Sequence, residues 1–175
     1  REARDLVLRR DLLVRNDLEA GAVQLQHPLR AVELEAAAAA RGNVHALTQT
    51  GLMLADGRGC AVDKAKAIIY FTEGAEKGDA AAMAALGECY LLGNGVEKDG
   101  AQAVRWLREA AQLGNAWGMN ELGVCYHKGI GVERDAQRAF QLFTDAARLG
   151  FTRANLNLGV LYMNGDGVPP DPGKG

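Results

Sequence analysis

The chain has 175 residues, 22 of them Gly and 4 Pro, with 48% hydrophobic residues and no Ser at all. That composition can bury a core and differs from a flexible low-complexity chain, and the missing Ser excludes any serine nucleophile within these residues. A net charge of −2 at pH 7 gives no basic footprint for nucleic acid, and no apolar run approaches the roughly 18–20 residues of a membrane helix.

The 30 Ala and 22 Leu favour helix. Each Gly inside a helix costs about 0.5–1 kcal/mol relative to Ala. The glycines are therefore expected between helices or where backbones touch. In chain order, Asp11 to Ala20 and Pro28 to Arg41 read as a first helical pair, with Pro28 in the first turn of its helix and residues before Asp11 extending the earlier one. From residue 43 the chain repeats itself. Gly51, Gly87, Gly123 and Gly159 are spaced by 36, as are Gly57, Gly93, Gly129 and Gly165. The same spacing relates Gly59 to Gly95, Gly131 and Gly167, and Gly42 to Gly78, Gly114 and Gly150. Such a period marks a repeat architecture.

Each unit reads as two helices. In the unit 79–114, Asp79 is the predicted N-cap of a helix Ala80 to Leu92, matched by Asn43 and Asn115. Met83, Leu86, Gly87 and Tyr90 lie on one face. Gly93 and Gly95 stop this helix. Asp99 caps the next, which runs roughly to Leu113 with Ala103, Trp106, Leu107, Ala110 and Ala111 inward, and Gly114 follows as the C′ residue. Gly87 and its equivalents, placed inside a helix, predict a nearly backbone-to-backbone contact with the partner helix, fitted by Ala110 and Ala111. The domain division is 1–42 for a degenerate N-terminal cap, with Arg15 at its close-contact position; 43–78, 79–114 and 115–150 for full units; and 151–175 for a partial one. That last unit has a helix Thr152 to Asn164 and its loop, but no second helix. Continuation of the chain beyond Gly175, or a partner, is expected to cover its apolar face. The start at Arg1 points to a processed or trimmed beginning.

These residues resemble a known family. The run Leu86-Gly87-x-x-Tyr90-x-x-Gly93-x-Gly95-Val96-x-x-Asp99, then Ala103-x-x-Trp106 and Ala110-Ala111-x-x-Gly114, is similar to a Sel1-like repeat. The next unit repeats it from Leu122-Gly123 through Tyr126, Gly129, Gly131-Val132, Asp135, Ala139, Phe143, Ala146-Ala147 and Gly150. The similarity runs from Asn43 to about Asp171. It implies an all-α, right-handed α/α superhelical solenoid of tetratricopeptide-like helix pairs, about four and a half in number. It also implies adaptor and scaffold roles in signalling, secretion, protein degradation and complex assembly. A bacterial cysteine-rich branch of the family is linked to β-lactam binding and pairs two Cys within each unit, a pattern that Cys60, Cys89 and Cys125 do not follow.

The chemistry-bearing residues have plain structural readings. The Gly-x-Gly loops lack the third Gly of a dinucleotide fingerprint and the ending of a P-loop, so they read as helix stops. Cys89 and Cys125 share a register, too far apart on stacked helices for a disulfide, and read as buried thiols. Cys60 falls in a loop. With no CxxC, a reducing compartment, cytoplasm or organelle matrix, is favoured. His27, His45 and His127 lie in different units, and Cys125-x-His127 alone is a weak metal signal. No catalytic residue, cofactor or metal is expected.

The tetratricopeptide-like arrangement places the first helix of each unit along an inner groove. Core positions are −4, −1, 0 and +3 relative to the helix Gly, which leaves −6, −3, +1, +4 and +5 to the groove. Successive units hold His45, Thr48, Leu52, Ala55 and Asp56; Ala81, Ala84, Glu88, Leu91 and Leu92; Trp117, Asn120, Val124, His127 and Lys128; and Arg153, Leu156, Val160, Met163 and Asn164. The partner-binding candidates are Leu52, Glu88, Leu91, Leu92, Trp117, Asn120, Val124, His127, Leu156, Val160 and Met163. Trp117 is an aromatic anchor beside the amide of Asn120. Against this stands ordinary packing between units. The expected function is non-enzymatic binding of a protein partner, without nucleic acid or membrane insertion. The alternatives are a structural subunit of a large complex and, further off, a hydrolase of the cysteine-rich branch.

Overall fold

The same solution ends every turn of the chain. In a computed structural model, which describes residues 28–167, there are eight α-helices of 13 residues each and no strand among those residues. They are α1 (Pro28–Ala40), α2 (Val44–Asp56), α3 (Lys64–Glu76), α4 (Ala80–Leu92), α5 (Gly100–Gln112), α6 (Ala116–Lys128), α7 (Ala136–Arg148) and α8 (Thr152–Asn164). Carboxylate or amide oxygens satisfy the free N–H groups at six helix starts. Asn43, Asp79 and Asn115 cap α2, α4 and α6, and Asp63, Asp99 and Asp135 cap α3, α5 and α7. Phe151 precedes α8 without a side-chain cap. Gly93, at φ +74°, ends α4 in the left-handed region, where a Cβ would be strained. The loop that follows closes on a hydrogen bond from Asp99 N to Tyr90 O, 3.0 Å, repeated by Asp63 to Leu54 and Asp135 to Tyr126, each 2.9 Å. The predicted helix from Asp11 to Ala20 and the Arg15 position lie outside the described residues.

The partner backbone is close at Gly87, where Ala103 O would lie 3.3 Å from a Cβ, but the nearest neighbour of each of the first three helix glycines is a large side chain. A Cβ on Gly87 would lie 2.6 Å from Leu107 Cγ, and one on Gly123 would lie 2.7 Å from Phe143 Cε1. The second helix pushes one large apolar residue per unit (Phe71, Leu107 or Phe143) into the notch, and all three are at most 1% exposed. Burial of such a side chain contributes about 1.5–3 kcal/mol. Ala110 has another task. Its Cβ stands 2.6 Å from where a Cβ of Gly118 would be, on the first helix of the next unit. One unit earlier the small pair is reversed: Gly74 of α3 faces the Cβ of Ala82. Gly74 and Gly118, which fall outside the glycine columns, are thus the small halves of junctions between units.

Each helix packs on its neighbours in the chain. Two pairs of successive first helices also touch, α2 with α4 and α4 with α6, whereas no comparable contact joins α6 to α8, α3 to α5 or α5 to α7. A two-layer stack bends toward its tighter layer, so the first helices line the concave side of this α/α solenoid. The second-loop glycines stack the units. Any Cβ on Gly131 would collide with the backbone of Gly100 at the start of α5, and any on Gly167 with that of Ala136 at the start of α7.

Candidate functional site: the concave face

The concave face is built from equivalent positions on α2, α4, α6 and α8. One residue after the helix glycine stand Leu52, Glu88, Val124 and Val160. One turn later come Leu91, His127 and Met163. Leu52, Leu91 and Val124 are half-buried, and Val160 is exposed. Leu92 is exposed at the end of α4. Trp117, in the first turn of α6, lies against the core formed by α2 to α4. It lines a cavity of about 260 Å³ together with Leu52, Asp56, Ala85 and Glu88. The structure thus brings Leu52, Glu88 and Trp117 around one cavity.

One column faces elsewhere. Position −3 was assigned to the groove, but Thr48, Ala84 and Asn120 are each 0% exposed. The next first helix covers them. Asn120 is therefore no free amide beside Trp117. Its Oδ1 accepts from Asn157 Nδ2 on α8 at 2.8 Å, and its Nδ2 donates to Glu121 Oε1 at 2.9 Å. Leu156 occupies the same column on α8, where no further helix follows among the described residues, and is 71% exposed. It belongs to the terminal face with Tyr162, and Met163 is the most exposed of the group.

In place of that column, position −2 reaches the concave side and brings a polar network that the sequence reading did not select. Glu121 is buried, with Arg153 Nη1 3.6 Å from its Oε1. The same guanidinium lies 4.0 Å from Glu88 Oε1. A signal was present: position −2 holds Gln49, Ala85, Glu121 and Asn157, three polar residues in a column flanked by core. The pKa of Glu88 is raised above the ordinary value, first by burial, then by the charges of Glu121 and Asp56, with Arg153 opposing them. At the far end His127 Nε2 lies 3.4 Å from Asp166 Oδ2, and Arg134 Nη2 donates to the same oxygen at 2.7 Å. That ties the groove end of α6 to the loop after α8. The Arg134 hydrogen bond, aided by His127, holds the Asp166 carboxyl below its ordinary range.

Cys89 and Cys125 are buried free thiols, pushed up to about 11 and about 12 chiefly by burial. Cys60 is a free, half-buried thiol whose Sγ donates to Met53 O at 3.5 Å. No group of three or more His, Cys, Asp or Glu side chains is placed to hold a metal ion among the described residues. No helix among them is long and apolar enough to cross a membrane.

A family model described as Sel1 repeat matches residues 44–79, 80–115, 118–151 and 152–175. Among solved structures, the chain is similar to a protective antigen of uropathogenic Escherichia coli displaying an SLR fold. The TM-score is 0.73 at 35% identity, over 83% of this chain and 31% of that one. It is also similar to a Sel1 repeat protein from Oxalobacter formigenes, with TM-score 0.72 and 33% identity over 82% of this chain and 59% of that one. Cysteine rich protein B of Helicobacter pylori follows at TM-score 0.53 and 25% identity, over 81% of this chain and 94% of that one. The chain thus spans less than two thirds of the length of the first two. None of the curated proteins matches it.

Proposed function

The chain belongs to the Sel1 repeat family, whose members generally mediate protein–protein interaction, and from that premise we propose that its concave face grips a segment of a protein partner as a non-enzymatic adaptor. The observation that carries this reading is the cavity walled by Leu52, Glu88 and Trp117 from three first helices, with Lys64 and Phe71 of α3 at its back. Leu91 on α4 and Val124 on α6 add half-buried apolar positions near it. Partly open apolar positions with a few fixed polar groups suit the recognition of an extended or helical segment. Photo-crosslinking tests the choice of face. A photoreactive phenylalanine at position 91 should capture a partner that the same group at position 69, exposed on α3, does not. Equal capture from both positions would refute the groove reading.

A second reading rests on α8. Leu156, Tyr162 and Met163 are 71%, 60% and 80% exposed on α8, the last helix among the described residues. As a permanent subunit of a larger assembly the protein would bury these side chains, in an interface above about 2,000 Å². Leu156→Glu would then release the assembly and leave groove-directed crosslinking intact.

A further inference from the structure

Among the groove carboxylates, Glu88 is the one without a close counter-ion. Asp56, across the cavity, has Arg58 Nε at 3.2 Å. Glu121 has Asn120 at 2.9 Å and Arg153 at 3.6 Å. Lys64, which also lines the cavity, donates to Asn94 Oδ1 at 2.9 Å. That leaves Glu88 with Arg153 at 4.0 Å, the same guanidinium that sits nearer to Glu121. A half-buried carboxylate that is so thinly paired and stands near two other acids is costly to keep charged. A cation arriving from outside removes that cost.

We propose that this cavity is the subsite for one basic side chain, lysine or arginine, presented by the partner segment in the groove. The inference rests on the groove reading above and specifies what the groove selects. The volume of about 260 Å³ suits one long side chain. Its aliphatic stem lies along Leu52 and Ala55, and its charged head ends between Glu88 and Asp56. Trp117 supplies the aromatic wall that attracts cations. An acidic head is selected against, because it would stand between two carboxylates, and the one lysine on the wall, Lys64, is already bonded to Asn94. The raised pKa of Glu88 agrees with this arrangement: burial raises it first, and the charges of Glu121 and Asp56, which a bound cation would offset, add to it.

Random twelve-residue peptides displayed on phage and selected against the full chain provide the test. The selected sequences should share one Lys or Arg position flanked by apolar residues. In synthetic copies, norleucine at that position should weaken binding about tenfold, and paired Lys and Arg copies show which head is preferred. Glu88→Gln, nearly isosteric and checked by its thermal melt, should bring the basic and norleucine peptides within about twofold of each other. Glu88→Lys should favour Asp or Glu at the same position. Selected peptides without a basic position, or a norleucine penalty that Glu88→Gln leaves unchanged, would overturn the subsite. The groove would survive that result if binding still fell on Leu91→Ala. Failure to select any peptide, or indifference of all of them to both Leu91→Ala and Trp117→Ala, would overturn the groove reading and the subsite with it.

Discussion

The ring of Phe71 occupies the space that a Cβ on Gly51 would need: Cε1 would lie 2.5 Å from it. Phe143 stands in the same relation to Gly123, and Leu107 to Gly87. A glycine inside a helix, unfavourable by propensity, is kept because the second helix of its own unit fills the notch with an aromatic or aliphatic side chain. Gly159 has the same register, but among the described residues nothing lies within 4 Å of the equivalent point.

That difference predicts opposite signs for the same substitution. Gly123→Ala should destabilise the protein by about 1–3 kcal/mol, since Phe143 must move within a packed core. Gly159→Ala should stabilise it by about 0.5–1 kcal/mol, because helix propensity acts there unopposed. Urea unfolding of the two variants beside the parent checks both, and a loss of stability at Gly159 would show that the position is covered in solution.

Ending the chain after Gly150 should leave a folded protein. The units meet only through neighbouring interfaces, so stability and unfolding cooperativity should fall in proportion to the removed helix α8 rather than collapse. Circular dichroism should retain the signal of the remaining helices, and a random-coil spectrum would count against modular folding.

The raised pKa of Glu88 predicts a pH dependence with a definite sign. A carboxyl that binds its proton more tightly when folded makes the native state the more protonated one. Stability then declines as pH rises from the ordinary carboxylate value through the raised one. Thermal melts of Glu88→Gln should lack that decline and lie above the parent at neutral pH. Identical pH profiles would mean that Glu88 is fully solvated.

The three thiols should separate by reactivity. Burial raises Cys89 to about 11 and Cys125 to about 12, so almost no thiolate exists at pH 8. An aromatic disulfide reagent should titrate one thiol, Cys60, quickly in the native protein. The other two should react at least about a hundredfold more slowly, until denaturant opens the helices. Three equal rates would place Cys89 and Cys125 at the surface.

Much of this architecture was legible in the sequence because helix ends are local events. Asp79, Asn115 and Asp99 cap the helices that their spacing announced, and Gly93 and Gly114 end or follow helices at positive φ. Caps and left-handed glycines act within about four residues, so a single stretch of chain carries the information. The Gly87 contact was legible as a close approach but not in its partner. Spacing alone does not say whether Leu107 or Ala110 points into the notch.

The candidate site divides in the same way. Leu52, Glu88 and Trp117, picked from two columns, line one cavity. Thr48, Ala84 and Asn120 of the −3 column are buried, and Glu121 on the −2 column pairs with Arg153 instead. From its sequence alone this protein is a solenoid of 36-residue helical pairs with known helix ends, since hydrogen bonding and propensity decide those residue by residue. Which side of each first helix faces the groove was decided only in the tertiary structure. The angle at which one unit packs on the next comes from small pairs such as Ala110 with Gly118. A modest rotation there turns a neighbouring column from the groove into the interface.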